Sequence, residues 1–250
     1  VRCSATVPSL IGSVVDTFAR AGIDLAPLGL AWARAMPAVT LVPGFGMRAL
    51  PAPARMILGL ALAACIFPAL APAVPAPTTL PWPLLVLAEV ARGLPVAIAA
   101  AVPLWAATMA GGVADALRGS QETANAPTVE GPATPMGVAM SLLAGAIFLK
   151  TGGPARVVAA LAERPLSAHP VLAAADDLVG GITLAVALGG PLLAASVVIE
   201  IAGALIARAA SPAQVHALIA PLRALGTLAV MAVVLDRLAV VLARVVEAAP

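Results

Sequence analysis

Glu89 and Arg92 stand one helical turn apart in an apolar setting, and Glu200 ends a stretch from Leu178 to Ile199 that carries no charge. Ionisable side chains inside apolar segments cost about 2.5–3.5 kcal/mol each on insertion scales, so they mark a pathway, a relay or a neutralising contact. Glu89 with Arg92 fits a local ion pair at the end of a span as well as a charge lining a conducting path. Glu200 lies eight residues, about two helical turns, before Arg208. That spacing suits an intersubunit salt bridge or a proton relay.

Other chemistries find less support. Asp176 and Asp177 are adjacent carboxylates, but no histidine, cysteine or third carboxylate stands at ligand spacing, so a solvated helix start is expected and no metal. His169 and His216 belong to no nucleophile–base arrangement, so no catalytic residue and no cofactor are expected. Gly152-Gly153 lacks the strand, lysine and spacing of a phosphate loop and reads as turn chemistry. Cys3 and Cys65 have no metal spacing, and Cys65, inside the apolar run Leu58 to Phe67, is expected to be buried as a small hydrophobe. The net charge of +2 comes from scattered arginines, which excludes the basic footprint of a nucleic-acid-binding protein.

The elements that must position these charges are apolar. Hydrophobic residues make up 62% of the 250-residue chain and charged residues 10%, against about a quarter charged in an average soluble domain. A polytopic membrane class is the reading, with no separate enzyme domain. Ser9 to Gly22 reads as a short amphipathic helix, with Ser9 as N-cap, Gly22 as stop and an Asp16–Arg20 pair on its polar side. Because Asp16 and Arg20 follow Arg2 so soon, this stretch is not expected to act as a cleavable signal. It is an interfacial leader or a helix packed on an assembly.

Six apolar segments follow: Leu28 to Phe45, Met56 to Ala71, Leu84 to Gly112, Thr134 to Leu149, Val171 to Arg208 and Val215 to Glu247. A shorter helix, Ala155 to Arg164, is expected after the fourth. The proline-rich connector Pro72 to Pro83 separates the second and third. Gly112 to Pro132, the most hydrophilic stretch, reads as a long loop. Arginine counts on alternate sides of the spans come out nearly equal, so the positive-inside rule assigns no orientation. Gly93-Ala97-Ala101 and Gly181-Ala185-Gly189 put small residues at the spacing that lets helices approach closely. Met136 and Met140 read as core filler.

Several of these runs are interrupted from within. Pro95 and Pro103 fall in the uncharged stretch Gly93 to Ala114, and Gly180, Gly181, Gly189, Gly190 and Pro191 fall between Leu178 and Ile199. In hydrocarbon a freed backbone group costs several kcal/mol, so such helices persist where neighbouring protein or a watery cavity re-satisfies them. A subunit embedded among other subunits is expected.

In order along the chain, these landmarks resemble the FliR/SctT family, the single-copy export-gate subunit of flagellar and virulence type III secretion systems. The similarity runs from about Leu28 to the C-terminus. A first block is Ala33-Arg34-Ala35-Met36-Pro37 with Pro43, Gly44, Pro51, Arg55 and Pro68. A second is Glu89, Gly93, Ala110-Gly111-Gly112, Asp115 and Arg118-Gly119, and a third Phe148 to Gly153. The last runs from Leu188-Gly189-Gly190-Pro191 through Glu200, Gly203, Arg208 and Pro212 to Pro221-Leu222-Arg223 and Gly226. Departures fall at Ala126, at Glu163 to Pro165 and at Gln214 to His216.

The resemblance implies an all-helical subunit of membrane-associated helical hairpins with broken apolar helices. It implies an inner-membrane gate shared with FliP/SctR-like and FliQ/SctS-like partners, through which unfolded substrate proteins leave the cytoplasm. The chain then divides into a leader over 1–27, a helical half over 28–112, a polar plug-like loop over 113–132 and a second half over 133–250. Gly111, Gly112, Asp115, Arg118 and Gly119 carry over to the plug, the glycines permitting it to swing and the charges keeping its rim wet. Glu89, Arg92, Glu200 and Arg208, by their spacing and apolar setting, are expected to serve intramembrane ion pairing and assembly. A stand-alone small-solute carrier using Glu89, Arg92 and Glu200 is the other class open to the sequence, and it needs six true spans and a pseudo-repeat. An intramembrane enzyme lacks any nucleophile, base or metal set.

Overall fold

The computed structural model describes residues 12–13, 16–17, 20, 25–45, 51–70, 81–119, 122–124, 133–163, 169–209 and 216–248. Seven helices fill it: α1 (Leu25–Leu41), α2 (Ala52–Leu70), α3 (Trp82–Leu117), α4 (Pro135–Lys150), α5 (Gly153–Glu163), α6 (Pro170–Ala209) and α7 (His216–Ala248). A 3-10 turn, Pro43–Phe45, follows α1. The expected leader falls mostly outside the described residues; within it Gly12, Ser13, Asp16, Thr17 and Arg20 are helical, and the Arg20 side chain donates to the Asp16 carbonyl rather than its carboxylate. Cys3, Pro212 and most of the polar stretch also lie outside.

Helix α3 is the axis of the fold. It packs most extensively on α6, then on α1 and α4, and it also reaches α5 and α7. Its buried residues are chiefly alanine, glycine and small aliphatics: Ala97, Ala101, Ala107, Ala110 and Gly111 among them. Small side chains let several helices approach one backbone closely, which is the packing mode of apolar bundles. The stripe Gly93-Ala97-Ala101 is buried in this way, and Gly181 on α6 faces Val102, whose side chain a Cβ there would meet at 2.7 Å.

Pro95 and Pro103 interrupt the ladder without ending the helix, and α6 likewise continues through Pro191. Each proline removes the bond to the carbonyl four residues back, and Pro95 and Pro103 are themselves buried in the packed middle of α3, which continues through both. The true break comes between α4 and α5. Thr151 caps α4, Gly152 takes the left-handed conformation at φ 72°, and the two helices meet at 65°. A left-handed residue just past the last helical turn is the usual helix stop and favours glycine.

Phe148 is the wedge inside that elbow. It is fully buried, a Cβ on Gly44 would meet its ring at 2.5 Å, and one on Gly153 would strike it too. Phe45 meets it edge to face with ring centres 6.3 Å apart, a favourable aromatic geometry. The turn after α1 and the elbow after α4 are therefore fitted around one ring. Cys65, in contrast, is exposed and not in the core. The buried face of α2 is Gly59, Leu62, Ala63, Ile66 and Leu70, and Cys65 falls outside that stripe.

Candidate functional site

Arg34 on α1 reaches into the side of α3 and meets Glu89. Its Nε donates to Glu89 Oε2 at 2.7 Å and its Nη2 lies 2.7 Å from the same oxygen, while Nη1 donates to the carbonyl of Leu161 on α5 at 3.3 Å. Arg92, one turn further along α3, pairs with Glu89 Oε1. The Arg34 and Glu89 side chains keep only 12% and 11% of their surface exposed. Gly93 makes the approach possible, because any Cβ there would strike the Arg34 carbonyl. One carboxylate thus pairs with two guanidinium groups, leaving one net positive charge, and Arg34 extends the cluster from α1 and α3 to α5. The Glu89–Arg92 pair is the one read from the sequence; Arg34, 55 positions earlier, is the partner that sequence spacing could not supply.

The residues carried over to the plug sit differently from a swinging loop. Gly111, Gly112 and Asp115 belong to the last turns of α3, which ends at Leu117, beyond the Gly112 where the loop was expected to start. Alanine and leucine are strong helix formers, and tight packing on α4 rewards the absence of side chains at the glycines. Gly111 lies against the start of α4, where a Cβ would meet the Met136 carbonyl at 2.5 Å and Gly137 Cα at 2.7 Å. Asp115 is fully buried rather than on a wet rim. Its Oδ2 accepts from the Met136 backbone N–H at 2.7 Å, and its Oδ1 lies 2.6 Å from Arg118 Nε. Arg118 is the C-cap of α3, and Gly119 follows at φ 76° with its N–H donating to Ala116.

Asp115 therefore serves a helix that begins 20 positions later. Thr134 is the N-cap of α4, its hydroxyl accepting from Gly137 N–H at 3.3 Å. A carboxylate at a helix N-terminus completes such a cap, since the first turn leaves its N–H groups unpaired and carries partial positive charge. Nearby, Ala124 and Ala133 exchange backbone hydrogen bonds of 2.6 and 3.0 Å. These ties close the base of the connection between α3 and α4.

Glu200 on α6 pairs with Arg223 on α7 at 2.6 Å, not with Arg208 on its own helix. Residues eight apart on one helix are too far for direct contact, whereas neighbouring antiparallel helices bring distant positions together. Arg156 on α5 is a contact that sequence reasoning missed. It donates to the carbonyls of Val246 at 2.7 Å and Glu247 at 2.6 Å, and to the Thr151 hydroxyl at 3.3 Å. It thereby caps the end of α7, where a cation suits the helix dipole. A positive residue in the first turn of a short helix offers no sequence signal for that role.

Among the described residues no group of three or more His, Cys, Asp or Glu side chains could hold a metal ion. Of the helices in the described residues, four, α2, α3, α6 and most of α7, are long and apolar enough to cross a membrane, and the bent α4–α5 pair makes a fifth if taken as one span. With 17 residues, α1 falls short of the roughly 20 that a straight span needs. The apolar windows of α6 and α7 are each only 22% buried within the chain.

A comparison with curated proteins returns no match. A family model described as bacterial export proteins, family 1, matches residues 25–249, nearly the whole chain. That family is a structural export-gate component and not an enzyme family, and with the apolar helices it makes this a membrane protein of a type III export apparatus. The chain belongs to the bacterial export proteins of family 1, the FliR/SctT family of type III export gates.

Proposed function

We propose that this chain is a channel-forming subunit of a type III protein export gate, set in the bacterial inner membrane and passing unfolded substrate proteins across it. It assembles with FliP/SctR-like and FliQ/SctS-like subunits as one member of a hetero-oligomer. The family match over residues 25–249 carries this reading. The open apolar faces support it: Val179, Ile182 and Val186 on α6 and Leu222, Leu225 and Val233 on α7 are each more than half exposed within the chain. Contiguous apolar surface of this extent needs lipid or sibling subunits to cover it.

In this reading the chain is one export-gate unit with two helical halves, and the connection between α3 and α4 is the plug at the closed pore. Arg118 and Gly119 begin that connection, while Gly111, Gly112 and Asp115 fasten its base. Glu89 with Arg34 and Arg92 holds the first half together. Glu200, Arg223 and Arg208 lie on the two most open helices and serve assembly.

Purification from membranes under mild detergent tests the proposal. One copy of the chain within a larger ring of small helical subunits, together with loss of protein secretion when the chain is deleted, is the expected result. A functional monomer or dimer that moves small solutes in liposomes overturns it.

A further inference from the structure

The base of the connection between α3 and α4 is tied in three ways, each resting on different atoms. Asp115 holds the Met136 N–H and Arg118 at once, with none of its side chain exposed. Gly111 on α3 lies against Met136 and Gly137, and a Cβ on Gly137 would in turn meet the Thr108 carbonyl at 3.2 Å. Ala124 and Ala133 exchange both of their backbone hydrogen bonds. A carboxylate that let go here would strand a helix-terminal N–H and leave Arg118, whose side chain is only 21% exposed, without its counter-ion, which is the costly way to break a buried contact. Glycine-mediated backbone contact between α3 and α4 leaves no slack in which the ends could slide.

We infer that Asp115 is a positioning residue that keeps this base shut in both the resting and the exporting gate, so that opening does not pass through separation of α3 from α4. The inference rests on the reading of this connection as the plug. It reassigns Asp115 from a charge facing the pore to a clasp behind it. Arg118 acts with it as the counter-ion, and Thr134 supplies the second cap of the same helix.

The test uses the assembled complex. Ala124→Cys with Ala133→Cys, in a background carrying Cys3→Ser and Cys65→Ser, puts two thiols on a hydrogen-bonded antiparallel pair. Such pairs have Cα atoms about 5.5 Å apart, inside the range of about 4.4–6.8 Å that a disulfide spans. The oxidised complex is expected to secrete at the rate of the reduced one. A block on oxidation that a reductant relieves overturns the inference.

Conductance of the complex in vesicles gives a second measurement. Asp115→Ala is expected to raise the resting conductance by about tenfold or more, because loss of a charge-assisted hydrogen bond lets the base itself come apart, a leak distinct from native opening, which leaves the base shut. Asp115→Asn, which keeps an acceptor for Met136 but no charge for Arg118, is expected to fall between, with Arg118→Gln beside it. An assembled Asp115→Ala complex with unchanged conductance overturns the inference, and if that variant fails to assemble, the cross-link result decides alone. Replacing residues 125–132 with a Gly-Ser linker tests the plug reading separately: unchanged resting conductance there rejects the plug and leaves the cross-link result to stand for the clasp.

Discussion

Replacing Glu89 with Ala leaves Arg34 and Arg92 facing each other across an apolar site. Arg34 keeps only its bond to the Leu161 carbonyl, and its backbone stays pressed against Gly93. Both side chains of the Arg34–Glu89 pair are close to nine-tenths buried, so this is a buried charge stripped of its partner, with an expected cost of about 3–5 kcal/mol. Arg92 differs, because its side chain is 33% exposed and pairs within one helical turn, and Arg92→Ala is expected to cost about 0.5 kcal/mol. The double replacement Arg34→Met with Glu89→Leu removes both charges and is expected to be close to neutral. A cycle of Arg34→Ala and Glu89→Ala should show a coupling energy of about 2–3 kcal/mol. The assay is the thermal midpoint of the purified chain in detergent, where Glu89→Ala should lower it by roughly 6–20 °C for a chain of this size. Equal costs for Glu89→Ala and Arg92→Ala, or additive Arg34 and Glu89 effects, would refute the claim that the cross-helix pair dominates.

Gly93→Ala should cost at least about 1–3 kcal/mol, since its Cβ must push the Arg34 carbonyl and with it α1 away from α3, whereas Gly145→Ala, with nothing within 4 Å, should raise helix stability by up to about 1 kcal/mol. Both are read as shifts in the same midpoint, and a well-tolerated Gly93→Ala would argue against the close α1–α3 contact. Arg156→Ala should loosen the last turn of α7 by about 1–2 kcal/mol, seen as faster amide exchange over residues 243–248, with Arg156→Lys retaining part of the protection. Uniform exchange across α7 in both variants would show that the cap carries no weight. The Glu200–Arg223 pair is about half exposed within the chain, so Glu200→Ala should change the stability of the isolated chain by less than about 1 kcal/mol yet reduce the yield of assembled complex. A complex that forms in normal yield but leaks ions would assign Glu200 to gating instead.

Much of the architecture was legible because it depends on local pattern. Each of the six apolar segments became a helix or most of one, and the short helix after Lys150-Thr151-Gly152-Gly153 lies where the turn residues put it. Glycine past a helix end and proline before the next reads the same way in any context. Where the reading stopped short, the cause was a distant neighbour. The polar stretch was expected to begin at Gly112, yet Val113-Ala114-Asp115-Ala116-Leu117 extends α3 because α4 packs on it and Asp115 is paid in contacts there. Cys65 was expected in the core from the hydrophobicity of its run, but which side of α2 faces inward depends on α1 and α5.

What the amino-acid order settles by itself is the class: a helical, apolar chain with too few charges for a soluble domain and with landmarks in the order of an export-gate family. Periodicity, capping residues and composition act within a turn or two of the chain, so they survive without a fold. Which charge meets which is decided only in three dimensions. Arg34 finds Glu89, Arg223 takes Glu200 from Arg208, Arg156 reaches the end of α7 and Asp115 turns from a loop to the start of α4. Each of these partners lies far along the chain, and a charge on an apolar helix goes to whichever opposite or hydrogen-bonding group the packing brings within a few ångströms, not to the nearest one in sequence.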